Sequence, residues 1–320
     1  MNKCIILCMC CNEPQYVRER LLICDTWGRH VLNGEYENLD LWFYTSGCTS
    51  SIDIDNHIIY INTSDNFYNT WEKTRRVFEI LNKYFDYDFI FRTNCSTVVN
   101  CQLLSAFINT LNKESNDMWS WVLCDYMYQK TNIRLFDFYH FYGFSMLFSK
   151  TIINQIIEAI QYSEIIYQGD EQYITINRNT EYEYFNKDIV DDKMKIADDI
   201  IIGYLLCQYC KHNDIDFMQH YKQYPTYFYK VFNKNTYFWN GRDLGYDVAD
   251  ISYYNDCLCV RAKNENGNID DCISRQQITE QSIYELSKMY ETKLSDETIQ
   301  NAIKSIYENC NKKDILYTYM

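Results

Sequence analysis

Residues 87–100 read YDFIFRTNCSTVVN. Three apolar residues, Phe89, Ile90 and Phe91, lead into Arg92, Thr93, Asn94 and Ser96, side chains that all carry hydrogen-bonding groups. An open α/β sheet presents its ligand groups at the carboxyl ends of buried strands. The stretch therefore predicts a buried strand that stops at a ligand-binding corner.

The flanking sequence predicts the sheet this strand belongs to. Immediately upstream, Trp71, Thr74, Val77, Phe78, Leu81 and Phe85 recur at three- and four-residue intervals, the stripe of an amphipathic helix. Apolar runs over 4–9 (CIILCM), 41–44 (LWFY) and 58–61 (IIYI) predict three earlier strands. A helix over 15–24, with Val17, Leu21 and Leu22 on its apolar face, separates the first two. Strands alternating with helices predict an α/β fold with a largely parallel sheet. Downstream, 119–124 and 144–148 read as strands, 134–141 as an aromatic loop, and 162–193 carries no clear pattern. Ser149 is placed to cap a helix bearing Ile152, Ile153, Ile156, Ile157 and Ile160. Residues 197–208 (ADDIIIGYLLCQ) predict a buried helix with an acidic first turn. The character changes near Tyr246, giving a main domain over 1–245 and a C-terminal helical extension over 246–320 packed on it. Ser295, followed by Asp296 and Glu297, caps the last helix.

At 320 residues and 47% hydrophobic content the chain can bury a large core, which excludes global disorder. The net charge of −14 argues against a nucleic-acid partner, which needs a basic face. It also means that an anionic ligand must be met by a local cation. Fifteen cysteines, an odd number without the spacing of a disulfide scaffold, predict reduced thiols in a cytoplasmic setting. The N-terminal apolar run is one strand long, so a soluble protein with no signal peptide or membrane span is expected.

Four motifs occur in order: RLLICDTWGRH (20–30), DNFYNTWEKT (65–74), FIFRTNCSTVVN (89–100), and FYGFSMLFS (141–149) followed by ADDIIIG (197–203). Together they resemble the inverting β-1,3-glycosyltransferases of the galactosyltransferase and Fringe kind over about residues 1–229. That family reads Arg-x-x-Trp-Gly, Tyr-x-Asn-x-Thr-x-Lys-Thr, an Asp-Asp-Asp loop ending in Asn, a Gly-containing strand ending in Ser, and Glu-Asp-Val-x-x-Gly. The resemblance implies a GT-A fold, with a Rossmann-like nucleotide-sugar half, a mixed-sheet acceptor half and C-terminal helices. It implies inverting transfer of a sugar from a nucleoside diphosphate sugar, a UDP-sugar first, to a hydroxyl of a glycan or other acceptor.

By that resemblance Asp199 is the catalytic base and Asp198 its neighbour; the bland alternative is a helix with an acidic first turn. Lys73, Arg92, Thr93, Asn94, Ser96 and Tyr68 fall on the donor side, Gly143 and Asp125 on the acceptor side. Trp27 reads as core. Lys73 and Arg92 read equally well as an ordinary helix lysine and a strand-end arginine. The chain departs from the family at the acidic triplet, which here is Asn94, Cys95 and Ser96. A cation and a carboxylate about 4 Å apart interact by roughly 4 kcal/mol at an effective dielectric of 20. Loss of two such partners predicts that no Mn²⁺ or Mg²⁺ is required, with Lys73 and Arg92 meeting the diphosphate instead.

Two rival readings stand beside this one. Cys207, Cys210, His212 and His220 have the residue types of a zinc site, although Cys207 lies inside an apolar helical pattern. Cys8, Cys10, Cys11, Cys257 and Cys259 read as buried free thiols. A glycosyltransferase-like protein that has lost turnover, and serves as a binding or scaffold subunit, is the alternative function. No Walker loop, dinucleotide fingerprint, serine-hydrolase elbow or HExxH helix occurs.

Overall fold

A computed structural model describes residues 1–65, 69–114, 116–120, 122–123, 127–128, 133–134, 140–141, 143, 145–163, 165–168, 171–175, 193–195, 198–220, 222–223, 229–231, 257–261 and 272–310. The chain opens with β1 (Cys4–Met9), α1 (Pro14–Asp25), α2 (Trp27–Leu32), β2 (Leu39–Gly47), β3 (Ser51–Asp53), β4 (Ile58–Asn62) and α3 (Thr70–Tyr84). Next come β5 (Phe89–Asn94), β6 (Thr97–Val99), α4 (Cys101–Ile108) and β7 (Asp117–Trp119). Four two-residue strands follow: β8 (Val122–Leu123), β9 (Met127–Tyr128), β10 (Ile133–Arg134) and β11 (His140–Phe141). They precede β12 (Ser145–Ser149), α5 (Lys150–Ala159), β13 (Ile165–Gln168), β14 (Glu171–Thr175) and β15 (Lys193–Lys195). The remainder is α6 (Asp198–His212), α7 (Phe217–His220), β16 (Lys222–Gln223), β17 (Tyr229–Val231), β18 (Cys259–Arg261), α8 (Cys272–Tyr290) and α9 (Asp296–Cys310).

The main sheet runs β16-β7-β12-β5-β1-β2-β4-β3. β1 pairs in parallel with both β2 and β5, and β2 with β4, whereas β12 is antiparallel to β5 and β7. The chain thus moves outward from β1 to β4, then returns on the other side of β1 as β5. That reversal creates a switch point, and ligands of open α/β sheets bind outside the strand ends at such a point. Here it lies beside Met9 and Asn94, which are register partners.

Strand periodicity sorts the side chains onto two cores. Cys4, Ile6 and Cys8 of β1, with Phe89 and Phe91 of β5, face a core shared with α1, α2, α4, α8 and α9. Ile5, Leu7 and Ile90 face the other core, with α3, α5 and α6. The fold is therefore α/β with helices on both faces, as the sequence predicts. On α3 the buried set is Thr70, Trp71, Lys73, Thr74, Val77, Phe78 and Leu81. Burying each of its large apolar side chains contributes about 2 kcal/mol before entropy is charged.

Capping follows the sequence closely. Ser149 Oγ accepts from the Ile152 N–H at 3.4 Å, and Ser295 Oγ from the Thr298 N–H at 3.1 Å. Asn100 also caps α4, accepting from the Leu103 N–H at 3.1 Å. Three expectations are corrected. The buried face of α1 carries Glu19 and Ile23, while Leu21 is exposed; the helix meets the core one position round from its apparent stripe. The strand expected over 119–124 is interrupted, because β7 ends at Trp119 and β8 begins at Val122. The expected loop over 134–141 begins and ends in short strands.

The segment 257–260 is fully buried in the same core as β1, and β18 pairs with β6 and β17. Ile283, Leu286, Ala302, Ile303 and Ile306 of the last two helices join that core. Among the described residues, no helix is long and apolar enough to cross a membrane.

Candidate active site

Strand alternation aims Arg92, like Ile90, toward the face covered by α3 and α6. There its guanidinium meets the first residue of α6: Arg92 Nη2 donates to Asp198 Oδ2 at 2.5 Å. Thr74 Oγ1 donates to the same carboxylate oxygen at 2.9 Å. One turn earlier on α3, Thr70 Oγ1 accepts from the Asp198 N–H at 3.2 Å. Arg92 Nε donates to the Tyr44 hydroxyl at 3.2 Å, and that hydroxyl lies 3.0 Å from Thr74 Oγ1. The Arg92 and Asp198 side chains are only 1% and 4% exposed. An ion pair so deeply buried stabilises only when its polar atoms find further partners, and here the guanidinium also meets Tyr44 and the carboxylate also meets Thr74.

Asp199, the next residue, sits in a different environment. Its Oδ2 accepts from the Gly143 N–H at 3.1 Å and its Oδ1 from the Ile200 N–H at 2.9 Å. Burial pushes its carboxyl up, and the negative charge of Asp198 adds to the effect. Arg92 and the two N–H groups pull the other way, leaving the carboxyl at about 7. Adjacent carboxylates are thereby given different characters: Asp198 is locked in an ion pair, and Asp199 is poised to exchange a proton near neutrality. Gly143 is required by proximity. A Cβ there would lie 2.9 Å from Asp199 Oδ2 and 3.2 Å from Arg92 Nη1.

At the switch point, Lys73 Nζ donates to Asp65 Oδ1 at 2.6 Å and to the Cys10 carbonyl at 3.0 Å. Asp65 also accepts from the Asn12 N–H at 2.6 Å and from Ser46 Oγ at 3.1 Å. Burial raises the Asp65 carboxyl, but Lys73 and these donors outweigh it and hold it below the usual range. The Lys73 side chain is 1% exposed and that of Asp65 20%. Arg92 and Lys73, both expected to meet the diphosphate, are each paired with a carboxylate.

Asn94 Oδ1 accepts from Ser96 Oγ at 2.9 Å and from Thr97 Oγ1 at 3.0 Å, which folds the turn after β5. Thr93 is fully buried, while Asn94 is half-buried. Tyr68 and Asp125 lie outside the described residues. Trp27 is buried in the core as expected. The zinc reading gains nothing here. His212 stacks on Tyr162, and His220 Nε2 lies 3.2 Å from Gln155 Nε2. Among the described residues, the group of sulfur, imidazole and carboxylate ligands that converges is instead Cys8, Cys10 and Cys95. Sequence reasoning missed Tyr44, Thr70 and Asp65. Asp65 opens one of the four motifs, but nothing local marks it as the partner of Lys73.

No family model matches the chain, and no curated protein does. Among solved structures, it is similar to a glycosyltransferase involved in glycosylation of the major capsid of PBCV-1. The identity is 7%, covering 87% of this chain and 99% of that one, with a TM-score of 0.39. It is also similar to the galactosyltransferase LgtC in complex with donor and acceptor sugar analogs. There the identity is 12%, covering 92% and 98%, with a TM-score of 0.40.

Proposed function

We propose that the chain is an inverting glycosyltransferase of GT-A type, moving a sugar from a nucleoside diphosphate sugar, a UDP-sugar first, to a hydroxyl of a glycan. One observation carries the reading: adjacent carboxylates at the start of α6 are held by different partners, Asp198 ion-paired to Arg92 and Asp199 raised to about 7. A base for hydroxyl attack needs a carboxyl near the working pH within reach of an open cleft.

In the proposed step the acceptor oxygen attacks the anomeric carbon from the face opposite the diphosphate. Its proton passes to Asp199, and the carbon–oxygen bond to the diphosphate breaks with its electron pair leaving on the diphosphate. Arg92 holds Asp198 in place by its guanidinium, and Gly143 holds Asp199 by its N–H. The charge on the leaving group falls to Lys73, from which the diphosphate displaces the partly exposed Asp65.

The residues after β5 do not suit a hard divalent ion. Asn94 Oδ1 already accepts two hydroxyl protons, and the Cys95 sulfur lies against Cys10.

A second reading is favoured by the pairing of both cations: a binding or scaffold protein of glycosyltransferase descent without turnover. Nucleotide release from a panel of UDP- and GDP-sugars, after exhaustive EDTA treatment, separates the two. Slow release with at least one donor is expected. Donor binding without any release supports the scaffold, and activity that disappears with EDTA and returns with Mn²⁺ contradicts the metal-free site.

A further inference from the structure

Three thiols converge at the switch point, outside the acid pair. Cys8 and Cys10 lie two residues apart and so share a face of β1's extended backbone. Cys95 follows β5 in the neighbouring strand. Because Cys8 pairs with Thr93 and Met9 with Asn94, Cys10 and Cys95 are the next facing pair along the register. Their sulfurs lie 2.7 Å apart, and Cys8 Sγ lies 3.9 Å from Cys95 Sγ.

Distances decide between two chemistries. A soft metal ion held by three thiolates keeps each sulfur about 2.3 Å from the centre, so neighbouring sulfurs sit about 3.8 Å apart. The Cys8–Cys95 separation would allow that, but the Cys10–Cys95 separation would have to widen by about 1 Å. A sulfur–sulfur bond of about 2 Å needs the same pair to close slightly, and facing residues of adjacent strands lie within the span a disulfide bridges.

We propose that Cys10 and Cys95 form a reversible disulfide that staples the end of β1 to the turn after β5. The structure holds the reduced form, with both residues 2% exposed, so a small oxidant such as hydrogen peroxide is the co-reactant that fits. Cys10 is the attacking sulfur. Burial opposes its ionisation, but hydrogen bonds from Cys8 and Cys95 and the charges of Arg20 and Lys73 bring it down to about 5. The Cys10 thiolate attacks one peroxide oxygen, the oxygen–oxygen bond breaks, and hydroxide leaves, giving a sulfenic acid. Hydroxide takes the Cys95 proton to form one water. The Cys95 sulfur then displaces the sulfenic oxygen, which leaves as a second water once it has gained a proton from solvent, replacing the one Cys10 had released. Overall two thiols and one peroxide become one disulfide and two waters, and a dithiol reductant reverses the change. The proposal does not depend on sugar transfer.

The test is peptide mapping of the full chain, treated with peroxide or with dithiothreitol, quenched in acid, and alkylated under denaturing conditions. Peroxide is expected to yield a reductant-sensitive pair of peptides joined through Cys10 and Cys95. Cys10→Ser and Cys95→Ser should each abolish it, and Cys8→Ser should leave it intact. Separate alkylation of Cys10 and Cys95 after peroxide overturns the proposal. So does a joined pair that uses Cys8, or stoichiometric zinc in the purified protein protecting all three thiols. The wild-type map decides even if a variant fails to fold.

Discussion

At the residue scale, two neighbouring aspartates differ because of what each one faces. Asp198 meets a guanidinium and a hydroxyl, while Asp199 meets two N–H groups and the charge of Asp198. Raising a carboxyl from 3.8 to about 7 means that the folded state disfavours its ionised form. The cost is absent below pH 3.8, grows through the interval and is complete above about 7. Asp199→Asn removes that cost but loses one accepted hydrogen bond, for a net gain of roughly 1 kcal/mol at pH 8 after allowing for its partial exposure. Thermal unfolding should show the gain at pH 8 and its disappearance toward pH 4. Gly143→Ala acts on the same carboxylate by crowding. Sugar transfer should fall roughly tenfold or more while the fold persists, because a misplacement of about 1 Å suffices to spoil a reacting geometry. Equal transfer by this variant would remove Gly143 from the site. The aspartates, Arg92, Lys73 and Gly143 are legible in the sequence as motif positions. Their pairing is not: nothing in the order of residues says that Arg92 reaches Asp198, 106 positions away.

At the element scale, legibility tracks periodicity. The α3 stripe and the four predicted strands β1, β2, β4 and β5 lie where their apolar spacing puts them, since each must bury one face or both. Lys73 and Thr74 are buried as well, because α6 supplies Thr74 with Asp198, and Asp65, just ahead of α3, supplies Lys73 with its carboxylate. Tertiary partners, not local pattern, made those polar positions interior. The same holds for α1, whose apparent apolar face leaves Leu21 exposed. Cap positions are the most legible feature, because a cap is a local hydrogen bond. Ser295→Ala at the start of α9 should cost about 1 kcal/mol, read as a lower denaturant midpoint with an unchanged slope. No change in midpoint would mean that the cap seen at 3.1 Å contributes nothing in solution.

At the scale of the whole molecule, the order β4-β2-β1-β5 explains why distant motifs meet. Reversal of direction around β1 brings the carboxyl ends of β1 and β5 together, β12 extends the sheet beyond β5, and α6 packs on the face toward which Arg92 points. A net charge of −14 offers no long-range attraction to an anion, so under the proposed function an anionic donor would depend on the few groups gathered there. Under the proposed function Asp199 takes the acceptor proton. The most direct measurement is the steady-state transfer rate of Asp199→Asn beside the wild type, as a function of pH, with donor binding measured on both proteins. A loss of about 10²–10⁴ in kcat, with donor binding retained, is expected. The wild-type rate should rise with pH to half its maximum near 7, where Asp199 ionises. Full transfer by Asp199→Asn, with an unchanged pH profile, would contradict it.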